Sequence, residues 1–254
     1  MKWLKRIFFF ILILLVIGVV AFFIANESRP NGKSGKAADE LATKMQQAIN
    51  LEAWKNTGAV KFTFSGLGKS RSTLWDKKRH YAWVKWGDYE AWVNINQRKG
   101  IVKQNGKEVG GEEGQKLVIK AWKIWVNDSF WLNPIAKAFD PGTTRSLVDM
   151  GDNKQGLLVS YNSGGATPGD AYLWLLDKNN LPTHWKLWVS IIPLGGVKFS
   201  WDNWKTLSTG AKVSTLHEGL IDIKISDLKA GKDLLEITDN QDIFAALEKA
   251  VKPQ

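Results

Sequence analysis

Thirteen tryptophans fall between Trp54 and Trp204 of this 254-residue chain, and most sit in segments that alternate like β-strands. Each indole brings roughly 150–250 Å² of surface that prefers to leave water. Several of the strand-like segments are apolar on both faces. Trp83 opposes Val84 and Trp86, Leu173 and Leu175 oppose Tyr172, Trp174 and Leu176, and Trp185, Leu187, Val189 and Ile191 oppose Trp188. A one-layer sheet with a wet face would alternate cleanly. The pattern therefore demands cover on both sides. Either helices supply it, or one face lines an apolar cavity of the kind that curved sheets enclose. The two are compatible, because a helical lid can cover a cavity.

The first thirty-six residues behave differently. Ile7 to Ala25 is an uncharged run rich in Phe, Ile, Leu and Val. At about 1.5 Å per residue it just spans a hydrocarbon core of about 30 Å. It exceeds a signal-peptide apolar region of about 7–15 residues, and no good small-x-small cleavage site follows it. Residues 1–25 are read as an uncleaved membrane anchor. Lys2, Lys5 and Arg6 place the N-terminus on the cytoplasmic side, and a long following domain crosses largely regardless of its charge. In a bacterium this gives a single-pass inner-membrane protein with its C-terminal domain facing the periplasm. The chain has no cysteine, which excludes lipid attachment to an N-terminal cysteine and leaves no disulfide to hold the fold.

The formal net charge is +10, and residues 1–36 carry half of it through six Lys/Arg and one Glu. The rest holds 29 basic and 24 acidic residues without a block of either sign. Basic residues interleaved with aromatics could hold phosphates and stack bases. An anchored domain of such modest charge suits an anionic membrane surface better, and no nucleic-acid partner is expected.

Asn26 to Lys36, with Pro30, Gly32 and Gly35, reads as a polar linker. A helix is expected over 37–53, with Leu41, Met45, Ala48 and Ile49 on one face. Strands are expected around Val60–Phe64, Leu74–Asp76, His80–Trp86, Tyr89–Gln97 and Ile101–Gln104, with an Asn105-Gly106 hairpin turn. A helix over 113–127 and a helical piece over 134–139 interrupt them. Strands resume at 156–161, 170–177, 183–191, 196–204, 212–215 and 220–225, and a helix covers 239–251. Short strands joined by tight turns imply antiparallel pairing. The fold class is α+β, with about ten strands and N-terminal, mid-chain and C-terminal helices in a domain over 37–254.

Catalytic and metal-binding signatures are weak. Gly66-Leu67-Gly68-Lys69-Ser70 contains the end of a phosphate loop, but Thr63 stands where the motif needs glycine, and strands flank it on both sides. A β-turn is the better reading. His80, His184 and His217 lack metal-ligand spacing, there is no Gly-x-Ser-x-Gly elbow, and no carboxylate pair stands out. No cofactor is implied.

Four segments carry a resemblance. They are the N-terminal helix running into Trp54 and Val60-Lys61-Phe62-Thr63-Phe64; the run Phe130-Trp131-Leu132-Asn133-Pro134 followed by Phe139-Asp140-Pro141-Gly142; the pair Gly169–Asp177 and Leu181–Trp185; and the return Trp201–Gly210. Over roughly residues 37–230 the order resembles the LolA/LolB-like superfamily of bacterial envelope proteins. That resemblance implies an incomplete antiparallel β-barrel plugged by helices, and carriage of lipids or lipoproteins. The anchor and the missing acylated cysteine depart from the soluble carrier and from the lipoprotein acceptor. The expected function is non-enzymatic binding of a lipid, acyl chain or lipoprotein segment. Phe62, Phe64, Trp83, Trp92, Tyr172 and Trp174 are the candidate ligand-binding residues on strands, with Trp122, Trp125, Phe130 and Trp131 on the mid-chain plug. An envelope scaffold gripping a protein partner through exposed Trp, and a lipid or glycan hydrolase without a recognisable motif, are the alternatives.

Overall fold

A computed structural model describes residues 2–152, 154–163 and 167–251. Helix α1 (Lys2–Ala25) carries the apolar run and stands away from the rest of the chain. Strand β1 (Lys33–Ser34) precedes α2 (Lys36–Ala48) and α3 (Leu51–Asn56). A meander follows: β2 (Ala59–Gly66), β3 (Lys69–Asp76), β4 (Tyr81–Trp86), β5 (Tyr89–Asn94), β6 (Lys99–Gln104) and β7 (Lys107–Glu108). Helix α4 (Gly111–Leu132) and a 3₁₀ turn (Pro134–Lys137) interrupt the strands. A second series comprises β8 (Thr143–Asp149), β9 (Gln155–Tyr161), β10 (Ala171–Leu176), β11 (Pro182–Trp188) and β12 (Val197–Ser200). The short strands β13 (Lys205–Thr206), β14 (Lys212–Val213) and β15 (Leu216–His217) lead to β16 (Ile223–Gly231), then α5 (Leu234–Ile237) and α6 (Ala245–Val251). The α+β class and the antiparallel pairing agree with the sequence. Among the described residues the strands number sixteen rather than about ten, five of them only two residues long.

Local chemistry sets these elements. Ala38, Ala42 and Met45 in α2 and Ile49 at its C-cap recur at helical spacing and are all buried. Asn50 ends it in a left-handed conformation (φ 55°) and caps α3 by accepting the Ala53 N–H. Asn105-Gly106 and Leu67-Gly68 both turn with two positive φ values, the mirror-type turn that matches strand twist. The second of these confirms the turn reading over a phosphate loop. Helix α4 begins with Glu112 and Glu113 at its positive end and is stopped before Pro134. Asn133 then accepts the Ala136 N–H to start the 3₁₀ turn.

The strands form an eight-stranded sheet, β15-β16-β2-β3-β4-β5-β6-β7, and a six-stranded sheet, β1-β8-β9-β10-β11-β12. They meet where the Ser200 N–H donates to the Glu218 carbonyl at 2.8 Å and Asp202 bridges Leu216. No pairing joins β1 to β7 among the described residues, so the sheets are not closed into a barrel.

Cover on both faces explains the doubly apolar strands. On the inner face, α2 packs on Phe62, Leu157, Trp174 and Trp201, while α4 packs through Val118, Ala121 and Trp122 on Ala82, Val84, Ala91, Val93 and Val102. On the outer face, Phe244, Leu234 and Leu247 of the C-terminal segment cover Ala59, Leu74 and Tyr81. The outer face of the six-stranded sheet holds a small cluster, Val148, Leu158, Ala171 and Leu173. Residues 26–34, expected as a polar linker, run across this second outer face. Arg29 donates to Ser160, Gly32 lies against Ser146 and Val148, and β1 pairs with β8.

One ion pair fixes α4 to the sheet. Arg71 on β3 donates to both carboxylate oxygens of Asp128, at 2.9 and 2.6 Å, and the Asp128 side chain is fully buried. Burial pushes the Asp128 carboxyl up to about 6, and Arg71 and the Asn127 amide draw it back. Removing one partner of a buried pair costs about 3–5 kcal/mol, because the remaining charge is left uncompensated. Arg71→Ala in detergent-solubilised full chain is expected to lower stability by about that much in a denaturant titration. A loss under about 1 kcal/mol would show that α4 is held by apolar packing alone.

Candidate functional site

A concavity lies where the second half of α4 faces the inner surface of β9–β11. The strand register builds its floor. Val159 opposes Tyr172, Tyr172 opposes Leu187, and Trp174 opposes Trp185, so the side chains of one parity line one face. The cavity has a volume of about 710 Å³, within the range of about 300–1,000 Å³ typical of small-molecule sites. Trp122, Trp125, Val126 and Phe130 wall it from α4, Trp131 and Trp185 form its back, and Tyr161, Tyr172 and Leu187 lie on the sheet. Val189, Ile191 and Ile192, from the loop after β11, complete one edge.

Aromatic contacts, mostly edge-on or tilted, join the walls. Phe130 packs against Tyr161, Tyr172 and Trp185 at ring separations of 5.5, 5.0 and 6.2 Å. Trp131 meets Trp185 edge-on at 4.9 Å. The indole N–H groups of Trp122, Trp125 and Trp185 are buried without a protein acceptor among the described residues.

Polar groups sit at the margins. The Arg98 guanidinium lies 4.1 Å over the Trp122 ring, and Lys137 pairs with Asp140 at 3.0 Å. Asp170 accepts from the Thr167 hydroxyl, the Tyr172 hydroxyl and the Ser190 N–H, tying two loops together at the rim. Burial holds the Tyr161 and Tyr172 phenols far above their usual range, so both stay neutral. Among the described residues no cluster of three His, Asp or Glu could hold a metal ion. The arrangement suits an apolar ligand.

Of the ten residues expected at a ligand site, Trp122, Trp125, Phe130, Trp131 and Tyr172 line this cavity. Phe62 and Trp174 belong to the packed core beneath α2. Phe64 lies under the Arg71 guanidinium at 4.6 Å. Trp83 and Trp92 face the other way, onto the C-terminal helical segment. The sequence reading did not name Tyr161, Trp185, Leu187 or the loop residues Val189, Ile191 and Ile192 as ligand-binding. The strand expected over 183–191 ends at Trp188, and Pro193, Gly195 and Gly196 are the local signal that a loop follows.

Behind the back wall lies His217, fully buried between Trp131 and Trp201 at ring distances of 5.4 and 4.3 Å. Its Nδ1 lies 3.2 Å from the Ser200 carbonyl, which it reaches as donor. Burial pushes its imidazole down to about 4. Neutral His217 therefore contributes stability in full above its unfolded value of about 6.5, and the contribution is lost as pH falls from there towards 4. Asp128, raised to about 6, works in the opposite sense over much of that interval. Comparison with His217→Phe isolates the imidazole. Between pH 7 and pH 4 the stability gap between wild type and variant should shift by about 3 kcal/mol against wild type. Parallel stability–pH curves would show that His217 charges without cost.

Neither a family model nor a curated protein matches the sequence. Several solved structures are similar in outline, among them two of low identity. One is a DUF1329 family protein from Desulfovibrio piger ATCC 29098, at 14% identity and a TM-score of 0.41, covering 78% of this chain and 93% of that one. The other is a putative outer membrane lipoprotein-sorting protein domain from Vibrio parahaemolyticus, at 8% identity and a TM-score of 0.37, covering 79% and 95%. The chain thus bears a distant structural likeness to both, at low identity.

Proposed function

We propose that this chain is a membrane-anchored envelope protein that binds the acyl chain of a lipid or lipoprotein in the cavity between α4 and β9–β11. In this reading residues 1–25 form a single-pass anchor in a bacterial inner membrane, with the N-terminus cytoplasmic. Residues 26–36 join it to a periplasmic domain over 37–254, an incomplete barrel. The observation that carries the proposal is the cavity itself, about 710 Å³ with walls of Trp122, Trp125, Phe130, Trp131, Tyr172 and Trp185. Hydrophobic transfer supplies about 0.8 kcal/mol per buried methylene. No covalent step is needed.

A scaffold gripping partners through outward tryptophans is less well supported. Among the described residues Trp3, on α1, is the one strongly exposed tryptophan, and the other thirteen are buried or half-buried.

The test is titration of the detergent-solubilised full chain with a phospholipid brominated on its acyl chain, which quenches nearby indoles. Val126 lines the cavity, and Val126→Glu puts a carboxylate against its apolar wall while leaving α1 intact. Wild type should show saturable quenching and carry lipid detectable by mass spectrometry. The variant, with an unchanged circular dichroism spectrum, should bind at least about tenfold more weakly, since burying an unpaired charge costs more than 1.4 kcal/mol. Equal quenching and equal lipid content in the two proteins would overturn the reading.

A further inference from the structure

The segment just after α1 is fastened to the outer side of β11 and to the loop that follows it, the same loop that supplies one edge of the cavity. The Asn26 side-chain carbonyl accepts the Gly195 N–H at 2.8 Å, and the Glu27 N–H donates to the Gly195 carbonyl at 3.1 Å. The Glu27 carboxylate takes both contacts from Lys186 at 2.7 Å, and its backbone carbonyl accepts the Trp188 indole N–H at 2.8 Å. The approach is close enough to require glycine. A Cβ on Gly195 would stand 2.5 Å from the Glu27 carbonyl, and one on Gly196, at φ +78°, would stand 2.6 Å from the Glu27 side chain.

The loop so held is uncharged from Val189 to Val197. Ile192, on the cavity edge, is three residues from Gly195, at most about 11 Å at about 3.8 Å per residue. Ala25 ends the apolar run, so Asn26 lies at the boundary of the hydrocarbon in the anchored reading.

The neighbouring turns carry the same character. Pairing of Ser200 with Glu218 runs β12 against β15, which brings Leu220 alongside Lys198, next to the end of the loop. Lys224 on β16 opposes Ser65 on β2, so the Leu67-Gly68 turn comes next along the same edge. Ile191, Leu220 and Leu67 are 71%, 76% and 73% exposed, the three most exposed large hydrophobic side chains outside α1 among the described residues. Leu67 also holds φ 53°, a conformation that favours Gly or Asn. An exposed leucine in an unfavourable backbone state points to a use for its side chain.

We infer that this edge, formed by the Val189–Val197 loop and the Leu220 and Leu67 turns, is a membrane-contact surface that seats the cavity against the outer face of the bilayer α1 crosses. It takes a phospholipid leaflet as partner, through shallow insertion of Ile191, Leu220 and Leu67. The ligand then passes from that leaflet into the cavity past Ile191 and Ile192. The inference rests on α1 as a membrane span and deepens the lipid-binding reading by assigning the source of the lipid.

The absence of native cysteine makes the test clean. Ile191→Cys, Leu220→Cys, Leu67→Cys and, at the far end of β16, Leu235→Cys each receive an environment-sensitive fluorophore in the full chain, reconstituted in phosphatidylethanolamine–phosphatidylglycerol vesicles. The first three labels should be quenched by lipids carrying a shallow spin label and shielded from aqueous iodide, while the Leu235 position stays open to iodide. Glu27→Lys, which sets two cations against each other at the Lys186 contact, should reduce lipid quenching at Ile191→Cys at least twofold without releasing the chain from the vesicles. Iodide access at all four positions, with the chain still resisting carbonate extraction, overturns the contact surface and leaves the anchor standing. Shielding from iodide without lipid quenching marks a protein-covered surface and overturns it too. Release by carbonate removes the anchor and the inference together.

Discussion

Trp185 is the side chain on which the rest of the inner architecture depends. It is fully buried on β11, and its ring meets those of Phe130 and Trp131 from α4, Tyr172 and Trp174 from β10, and Trp201 beyond β12. Pairs of this kind contribute about 0.5–1.5 kcal/mol each beyond their buried area. They join the end of the mid-chain helix, the middle of the six-stranded sheet and the return towards the eight-stranded sheet. Because two of its neighbours belong to α4, the same cluster that closes the core also sets the height of α4 above β9–β11. That height is the depth of the cavity. The packed core and the open cavity are therefore two consequences of one arrangement: rings behind Trp185 are sealed against each other, and rings in front of it face open space.

The helices and turns were legible because their signals are local. The α2 stripe, the Asn105-Gly106 turn and the periodicity of α4 each depend on residues a few positions apart. Strand β8 was missed because Thr143, Thr144, Arg145 and Ser146 are polar, and its partner β1 comes from a segment that reads as linker. Only a non-local pairing makes either of them a strand. The site was half legible for a related reason. Parity placed Trp83 opposite Val84, but nothing in a single strand says which parity faces inward. Phe62 and Trp174 share the inner side with Tyr172, yet α2 seals them and leaves Tyr172 beside the open volume. Local pattern identifies a face; the helix that lands on it decides whether that face is core or cavity.

Charge is used sparingly inside and has a mechanical role where it occurs. Arg71 and Asp128 face each other between β3 and α4 with the carboxylate out of solvent. Replacement of such a pair by well-packed apolar residues is often neutral or stabilising, so its presence is weak evidence for stability as such. Its geometry is more informative. A bidentate contact fixes orientation as well as distance, and Asp128 lies two residues before Phe130. The pair therefore indexes the rotation of α4 at the point where its aromatic residues turn towards Tyr161 and Tyr172. An apolar contact at the same place would let the helix roll and change which rings face the cavity.

The segment between α1 and α2 supplies the second mechanical constraint. A flexible linker of eleven residues would let the domain wander by about 5–6 Å times the square root of its length. Here Glu27, Arg29, Lys33 and Ser34 are each bonded to the six-stranded sheet, and Asn26 to the loop between β11 and β12. The sheet edge that receives Asn26 and Glu27 is the one that carries Val189, Ile191 and Ile192. A tether meant only to retain a domain near a membrane has no need of so many fixed contacts. Fixing the exit of α1 to the cavity edge makes sense if orientation matters, because an apolar ligand leaving a bilayer meets its largest barrier in any stretch of water it must cross. In the proposed membrane-contact reading, placing the opening at the surface removes that stretch, and pinning the strap and lining the cavity with apolar side chains would serve the same transfer.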